Sequence, residues 1–271
     1  MGPMVHSNPE AVMVIRDLVP SFLTTFSLPF SRGGVVKFGG RATAVKLSNG
    51  KIAVFSPVSL TNDVKKTISS MGGDVGYLIA PDIEHHIHLN AWHDAYPNSQ
   101  ILAPEGLPEK RKKQSHPPLP FPYVVTASNK STILPPDLAR EFKLEYSPMH
   151  PNKELAFLHI PTKSLIVADL LFNLPAKEQY SKAPESHGGV LTSLVQKFLG
   201  LEGEAKGQLR WNWWLAAAKD RKGFAEGVKE IRAWDFDRII PCHGDVIEGR
   251  QNSTGAWDKV FKWFLDDSVK K

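Results

Sequence analysis

The sequence predicts an α/β fold in which two β-sheets lie between outer layers of helix. Two observations carry that reading. Strand-like segments come in two batches, each followed by helical stretches, and side chains suited to metal binding stand just after short apolar runs. Those side chains are the knot Glu84-His85-His86-Ile87-His88, then His150, Asp169 and His243. Strand ends are where residues far apart in a chain converge, and imidazoles arriving with a carboxylate suit zinc, non-haem iron or manganese.

The elements follow in order. Residues 1–32 mix Leu, Phe, Pro and Ser without a sustained period and read as an N-terminal lead-in packed on the surface of a single domain spanning 33–271. Alternation then runs through Val36 and Phe38 and over 42–47. The Asn49-Gly50 pair predicts a type I′ hairpin turn into a strand over Ile52–Phe55. Thr61-Asn62-Asp63 can cap a helix to about Met71, which Gly72-Gly73 ends. A buried strand over 75–80 leads into the histidine knot, a helix over 86–96 and a short strand over 100–103. Dense prolines between 104 and 136 predict a long surface connection. Strand signals return at 123–126 and 142–146, and 155–160 with 164–168 form a second hairpin. Residues 175–207 read as a polar insertion, or lid, interrupted by the apolar stretch 190–199. Helices are predicted over 208–222 and 224–234, a last buried strand over 238–241, and an amphipathic helix over 256–265.

A chain of 271 residues, 42% hydrophobic, can bury a substantial core. No apolar run approaches the roughly 20 residues that span a bilayer, and residues 1–10 lack a secretory pattern, so a cytoplasmic protein without a membrane partner is expected. The single cysteine, Cys242, excludes an intramolecular disulfide framework and reads as a small core residue. The net charge of +5 owes much to Lys110-Arg111-Lys112-Lys113, a run without interleaved aromatics that reads as a solvated loop rather than a nucleic-acid face. There is no Gly-x-Ser-x-Gly elbow and no Gly-rich phosphate loop.

The order of elements and ligands resembles the metallo-β-lactamase fold over roughly residues 33–250. Ser164-Leu165-Ile166-Val167-Ala168-Asp169 is similar to that family's strand ending in a metal-bridging aspartate. Arg238-Ile239-Ile240-Pro241-Cys242-His243-Gly244-Asp245 is similar to its strand ending in a His-Gly ligand, and His150 precedes a hairpin where the family places another ligand histidine. The family's His-x-His-x-Asp-His motif is degenerate here, and two registers are open. With His85 in the place of the last histidine, Glu84 takes that of the aspartate and Asp82 that of the second histidine. With His86 and His88 in the places of the first two histidines, Asn90 and Ala91 stand for the Asp-His pair. The first register fits the strand end better. Ser56-Pro57 stands where the family often has Asp-Pro-Gly. The Pro81 to His85 opening, Tyr96-Pro97 and Pro104-Glu105-Gly106-Leu107 resemble an uncharacterised subfamily, a DUF4336-like domain of unknown function.

The resemblance implies a four-layer αββα sandwich holding one or two divalent metals, zinc first, with iron or manganese as alternatives. The implied ligand candidates are His85, His86, His88, His150, Asp169 and His243, with Asp169 also orienting the nucleophile and Asp245 supporting the site from behind. A bound cation lowers the pKa of its water from ~15.7 to about 7 and polarises the bond under attack. The expected function is therefore metal-dependent hydrolysis of a small-molecule ester, lactone, thioester or amide. An iron-dependent oxidoreductase is the alternative on the same scaffold, and a metal-free binding or scaffold protein is the alternative from another class. On a helix His85 and His88 share a face that His86 leaves by about 100°. Asp82 and Glu84 read as acids at a helix start. His93, His116, His159 and His187 read as surface or structural, His187 standing in the expected lid. Trp211, Trp213 and Trp214 pack between helix and sheet or line a pocket mouth.

Overall fold

The computed structural model describes residues 3–183 and 188–269; His187 lies outside them. The described strands are β1 (Pro3–Val5), β2 (Val14–Val19), β3 (Leu23–Leu28), β4 (Phe30–Arg32), β5 (Val36–Lys37), β6 (Gly40–Lys46), β7 (Ile52–Phe55), β8 (Val75–Ile79), β9 (Gln100–Pro104), β10 (Tyr123–Val125), β11 (Phe142–Ser147), β12 (Glu154–His159), β13 (Ser164–Val167), β14 (Arg238–Pro241) and β15 (Ile247–Glu248). The described helices are α1 (Pro9–Val12), α2 (Asn62–Met71), α3 (Leu89–Ala95), α4 (Leu107–Lys113), α5 (Pro136–Glu141), α6 (Val190–Leu199), α7 (Lys206–Trp211), α8 (Arg221–Arg232), α9 (Arg250–Val260) and α10 (Lys262–Leu265).

Two large sheets result, one of seven strands ordered β10-β9-β8-β7-β6-β3-β2 and one of five ordered β11-β12-β13-β14-β15. The period-2 alternation of the central strands sorts their side chains into layers. Ala53 and Phe55 of β7 point into one core with Phe157 of β12 and Ile166 of β13, so the two sheets face each other. Ile52 and Val54 point the other way, onto Val64 and Ile68 of α2 and Trp92 of α3. On the far side Ala156, Leu158 and Leu165 meet Phe224 and Val228 of α8, Trp257 of α9 and Phe264 of α10. The expected order of layers, helix, sheet, sheet, helix, is what these residues build.

Local signals act as the sequence implies in several places. Thr61 Oγ1 accepts the Val64 amide at 3.2 Å to start α2, and Gly72 ends it at a φ of +132°. The Asn49-Gly50 turn differs from the type I′ expectation. Gly50 takes a positive φ and Asn49 does not; the Gly50 amide donates to the Leu47 carbonyl and the Leu47 amide to that of Lys51, which is a type I turn closed by a glycine bulge.

Other expectations are corrected. Residues 1–32 are not a surface lead-in throughout: β3 is buried along its whole length and pairs with β6, and β2 continues the sheet. Its Thr24, Thr25 and Ser27 face hydrogen-bonding partners, which hides the apolar period. The 104–136 stretch holds α4 and β10, and its basic run is helical rather than a loop, with Arg111 buried. The 86–96 helix begins only at Leu89, because residues 82–88 are irregular. The 208–222 helix is α7 followed by a π-turn at Asn212–Ala216.

The sheets are joined at one edge by Arg41, whose side chain on β6 has no exposed surface. Its Nε donates to Ser27 Oγ at 3.0 Å, Nη2 to Glu178 Oε1 at 3.0 Å, and Nη1 to the carbonyls of Pro241, at 2.8 Å, and Gly244. One guanidinium thus ties the first sheet to the end of β14. Truncating it takes this donor from the carbonyls of Pro241 and Gly244 and leaves Glu178 with only Ser27 and Arg16, so Arg41→Met is expected to cost about 3–5 kcal/mol. Urea unfolding measures this, and a loss under about 1 kcal/mol would contradict the clamp.

Candidate metal centre

The end of β14 carries His243, and the local backbone admits little else after it. Gly244 sits at a φ of +97°, and a Cβ there would lie 2.1 Å from the Asn173 carbonyl oxygen. Only glycine fits, which explains the His-Gly pair. Gln179 grips the same turn from both sides, its Nε2 donating to the Cys242 carbonyl and its Oε1 accepting the Gly244 amide, each at 2.8 Å. His243 Nδ1 lies 2.6 Å from the Gly39 carbonyl. That carbonyl can only accept, so Nδ1 carries the proton and Nε2 presents a lone pair.

Asp169 follows β13, where its amide and that of Ala168 donate to the carboxylate of Glu154, at 2.9 and 2.6 Å. Asn152 Nδ2 donates to Asp169 Oδ2 at 2.6 Å, while Oδ1 stands 3.3 Å from His243 Nε2. His85 arrives from the turn after β8. Asp82 accepts the amides of Glu84 and His85 at 2.7 Å each, and lies 2.9 Å from His85 Nδ1. This is a carboxylate–histidine pair that leaves Nε2 facing the centre, 3.1 Å from His243 Nε2.

His85, Asp169 and His243 therefore bring ligand atoms within 4.8 Å of one another. Two imidazole lone pairs and a carboxylate oxygen this close require positive charge between them, as protons or as a cation. The electrostatics point the same way. Burial alone would lower the His85 pKa, but Asp82, followed by Asp169 and Glu154, outweighs it and raises the value to about 9. Burial pushes Asp169 up, and the surrounding His243, His85 and His150 reverse this and hold it below the usual carboxylate range. Glu154, buried beside Asp82 and Asp169, is pushed well above it. The acids that raise the His85 pKa are groups that would also attract a cation placed between these ligands.

The remaining sequence candidates fall into distinct places. His150 lines the same cavity as Asp169 and His243, and its buried Nε2 has no hydrogen-bond partner. The Asn152 amide donates to its Nδ1 at 3.3 Å, and burial lowers its pKa against the pull of Asp169 and Asp82. In that neutral tautomer Nε2 is a donor aimed at nothing in the chain. His86 turns away: Nδ1 lies 3.1 Å from Arg111 Nη1, the ring packs edge-on to His116, and burial with Arg111 lowers its pKa to about 3. His88 lines the pocket mouth beside His85, with its pKa lowered to about 4 by burial. Asp245 Oδ1 accepts the amide of Glu178, the residue before Gln179, and makes no side-chain contact with His85, Asp169 or His243 among its hydrogen bonds. Cys242 is buried against Ser56 Oγ, with burial pushing its thiol pKa well up, as befits a core residue. Trp213 is in the core, Trp211 lines the cavity, and Trp214 is exposed.

Sequence reasoning missed Asn152, Glu154, Gln179 and Arg41. Each acts through a backbone or a neighbouring ligand, and no spacing announces such contacts. Two cavities, of about 100 and 420 Å³, open on either side of the cluster and share Phe30, Arg32, Asp169 and His243 as walls.

The family described as a domain of unknown function, DUF4336, matches residues 34–187. Among solved structures, the DIM-1 metallo-β-lactamase is similar at 10% identity and a TM-score of 0.55, over 92% of this chain and 95% of that one. A metallo-β-lactamase from Pontibacter korlensis is similar at 12% identity and a TM-score of 0.53, over 92% and 99%. None of the curated proteins compared matches the chain. The fold is that of the metallo-β-lactamases, an α/β sandwich of the αββα kind.

The ionisation pattern sets a pH dependence for the metal-free protein. His85 gains its partner on folding, so its pKa rises from about 6.5 in the unfolded chain to about 9 in the folded one. The stabilisation is complete below about pH 6.5 and disappears as pH rises through 9. Chelator-treated protein is expected to lose about 2–3 kcal/mol over that window in urea unfolding, and Asp82→Asn to lose far less. Parallel curves for the two proteins would contradict the pairing.

Proposed function

We propose that this chain, which belongs to the DUF4336 family, is a metal-dependent hydrolase in which His85, Asp169 and His243 hold one divalent cation, zinc in the first place. The observation that carries the reading is the meeting of two outward-facing Nε2 lone pairs and the Asp169 carboxylate within 4.8 Å, with the acids Asp82 and Glu154 buried close behind them. Three protein ligands with an open position is the arrangement of catalytic rather than structural zinc.

When bound, the cation supplies Lewis acidity and a water acidified toward neutral pH. The chain's own residues do the rest. Asp82 fixes the ring of His85, and the Gly39 carbonyl fixes that of His243. Asn152 engages one oxygen of Asp169 and leaves the other free to ligate and to orient the nucleophile. His150, with an unpartnered Nε2 on the wall of the larger cavity, is placed to donate to an oxygen that becomes negative during attack, or to the leaving group. Phe30, Phe38 and Phe172 around His243 give the substrate an apolar bed. An ester, lactone, thioester or amide of low polarity fits such walls.

Metal analysis joined to an ester and lactone panel tests this. Wild type is expected to hold about one equivalent of metal and to lose hydrolysis on chelation. Asp169→Ala and His243→Ala are expected to lose the metal, Asp82→Asn to bind it about 10–100-fold more weakly, and His86→Ala to retain it. Absence of metal after incubation with zinc, iron or manganese would overturn the reading. Stoichiometric iron with redox turnover and no hydrolysis would replace it with the oxidative alternative.

A further inference from the structure

Ten large apolar side chains are exposed among the described residues, and six of them belong to two neighbouring elements. Val190, Leu191, Leu194 and Phe198 fall within one 100° face of α6, the first 79% and the third 61% exposed; Trp214 and Leu215 stand exposed on the π-turn. The other face of α6 is the one that packs: Thr192 is buried, with its hydroxyl donating to the Val35 carbonyl, and Leu199 is buried. α6 packs on α7, which runs directly into the π-turn, and Leu199 of the one and Leu215 of the other line the same cavity; exposed apolar side chains gathered in this way mark an interaction site.

Its surroundings are basic. A groove beside α7 is lined by Lys206, Arg210, Lys259 and Lys262 with Trp263. Of the two carboxylates there, Asp258 is held by Arg232 and Glu204 by Lys206, which leaves the groove positive. The groove adjoins the apolar face. A Cβ on Gly207 of α7 would lie 2.0 Å from the Phe198 carbonyl oxygen, and Arg210 follows Gly207 by one helical turn. The Arg221 guanidinium lies 5.1 Å from the ring centre of the exposed Trp214. Exposed Leu, Phe and Trp bordered by Lys and Arg is the composition of a helix that lies in an anionic membrane interface.

The same surface leads inward. Leu199, Trp211 and the exposed Leu215 line the larger cavity, whose far wall is His150, Asp169 and His243.

We propose that α6 and the 212–216 turn dock this protein on an anionic lipid surface, and that the larger cavity draws a lipophilic ester from it. The second half rests on the hydrolytic reading; the docking does not. The sequence predicted no membrane partner because no segment spans a bilayer, and surface docking requires none. No helix of the described residues is long and apolar enough to cross one.

Co-sedimentation with phosphatidylcholine vesicles, with and without phosphatidylserine, tests the docking without metal or turnover. Wild type is expected to bind the phosphatidylserine vesicles and to release at high salt. Leu194→Ser with Phe198→Ser, and separately Arg210→Glu with Lys262→Glu, are expected to bind at least about tenfold more weakly, with unchanged melting temperature and unchanged turnover of a water-soluble ester. Turnover of a long-chain ester embedded in the vesicles is expected to fall in both variants. No binding by wild type, or full binding by both variants, would overturn the proposal. So would a concentration-dependent dimer that Leu194→Ser abolishes, which would assign the face to a second copy. Vesicle binding without turnover of any ester would uphold docking and fail the hydrolytic reading.

Discussion

The candidate site depends on a single junction, the edge where the two sheets are locked together by the buried Arg41. A β-sandwich leaves its sheets free to slide unless something other than apolar packing fixes their relative position, since hydrophobic contact is non-directional. Arg41 supplies direction: its donors engage Ser27 on β3, Glu178 in the segment after β13, and the carbonyls of Pro241, which ends β14, and of Gly244 just beyond it. His243 lies between those carbonyls and is turned by Gly39, two residues before Arg41. The register of the sheets and the aim of a ligand are thereby one constraint. Gln179, one residue after Glu178, grips the same turn, so the segment after β13 is fastened to the site as well.

That junction also collects charge that no ordinary core would hold. Asp82, Glu154 and Asp169 are buried within reach of one another and of three imidazoles. Burying carboxylates is costly unless each is paired or bonded. The chain meets that cost partly with backbone amides, which Asp82 and Glu154 accept, and partly by raising the proton affinity of His85. A divalent cation would satisfy the same field more completely, and this follows from the donor arrangement rather than from likeness to any relative.

Much of the fold was legible because alternation in the central strands is strict. Ile52 to Phe55 and Leu155 to Leu158 sort into opposite cores residue by residue. Asp169 and His243 were legible because each ends such a strand. β3 was hidden, because Thr24, Thr25 and Ser27 interrupt its apolar pattern while being satisfied by the neighbouring strand β2 and, for Ser27, by the distant Glu178. His85, His86 and His88 could not be separated from spacing, since residues 82–88 follow neither a helical nor an extended period; the sorting comes from Arg111 capturing His86 and Asp82 capturing His85. The exposure of α6 was equally hidden, because an apolar helical stripe reads the same whether it faces a core or solvent.

In the proposed function His85, Asp169 and His243 converge on one cation. The most direct measurement is an anomalous difference map from crystals of the protein grown with zinc, collected on both sides of the zinc absorption edge. An edge-dependent peak bounded by Nε2 of His85, Nε2 of His243 and Oδ1 of Asp169 is expected. No peak there at full zinc exposure, or a peak held by His86 or His88 without Asp169, would contradict it.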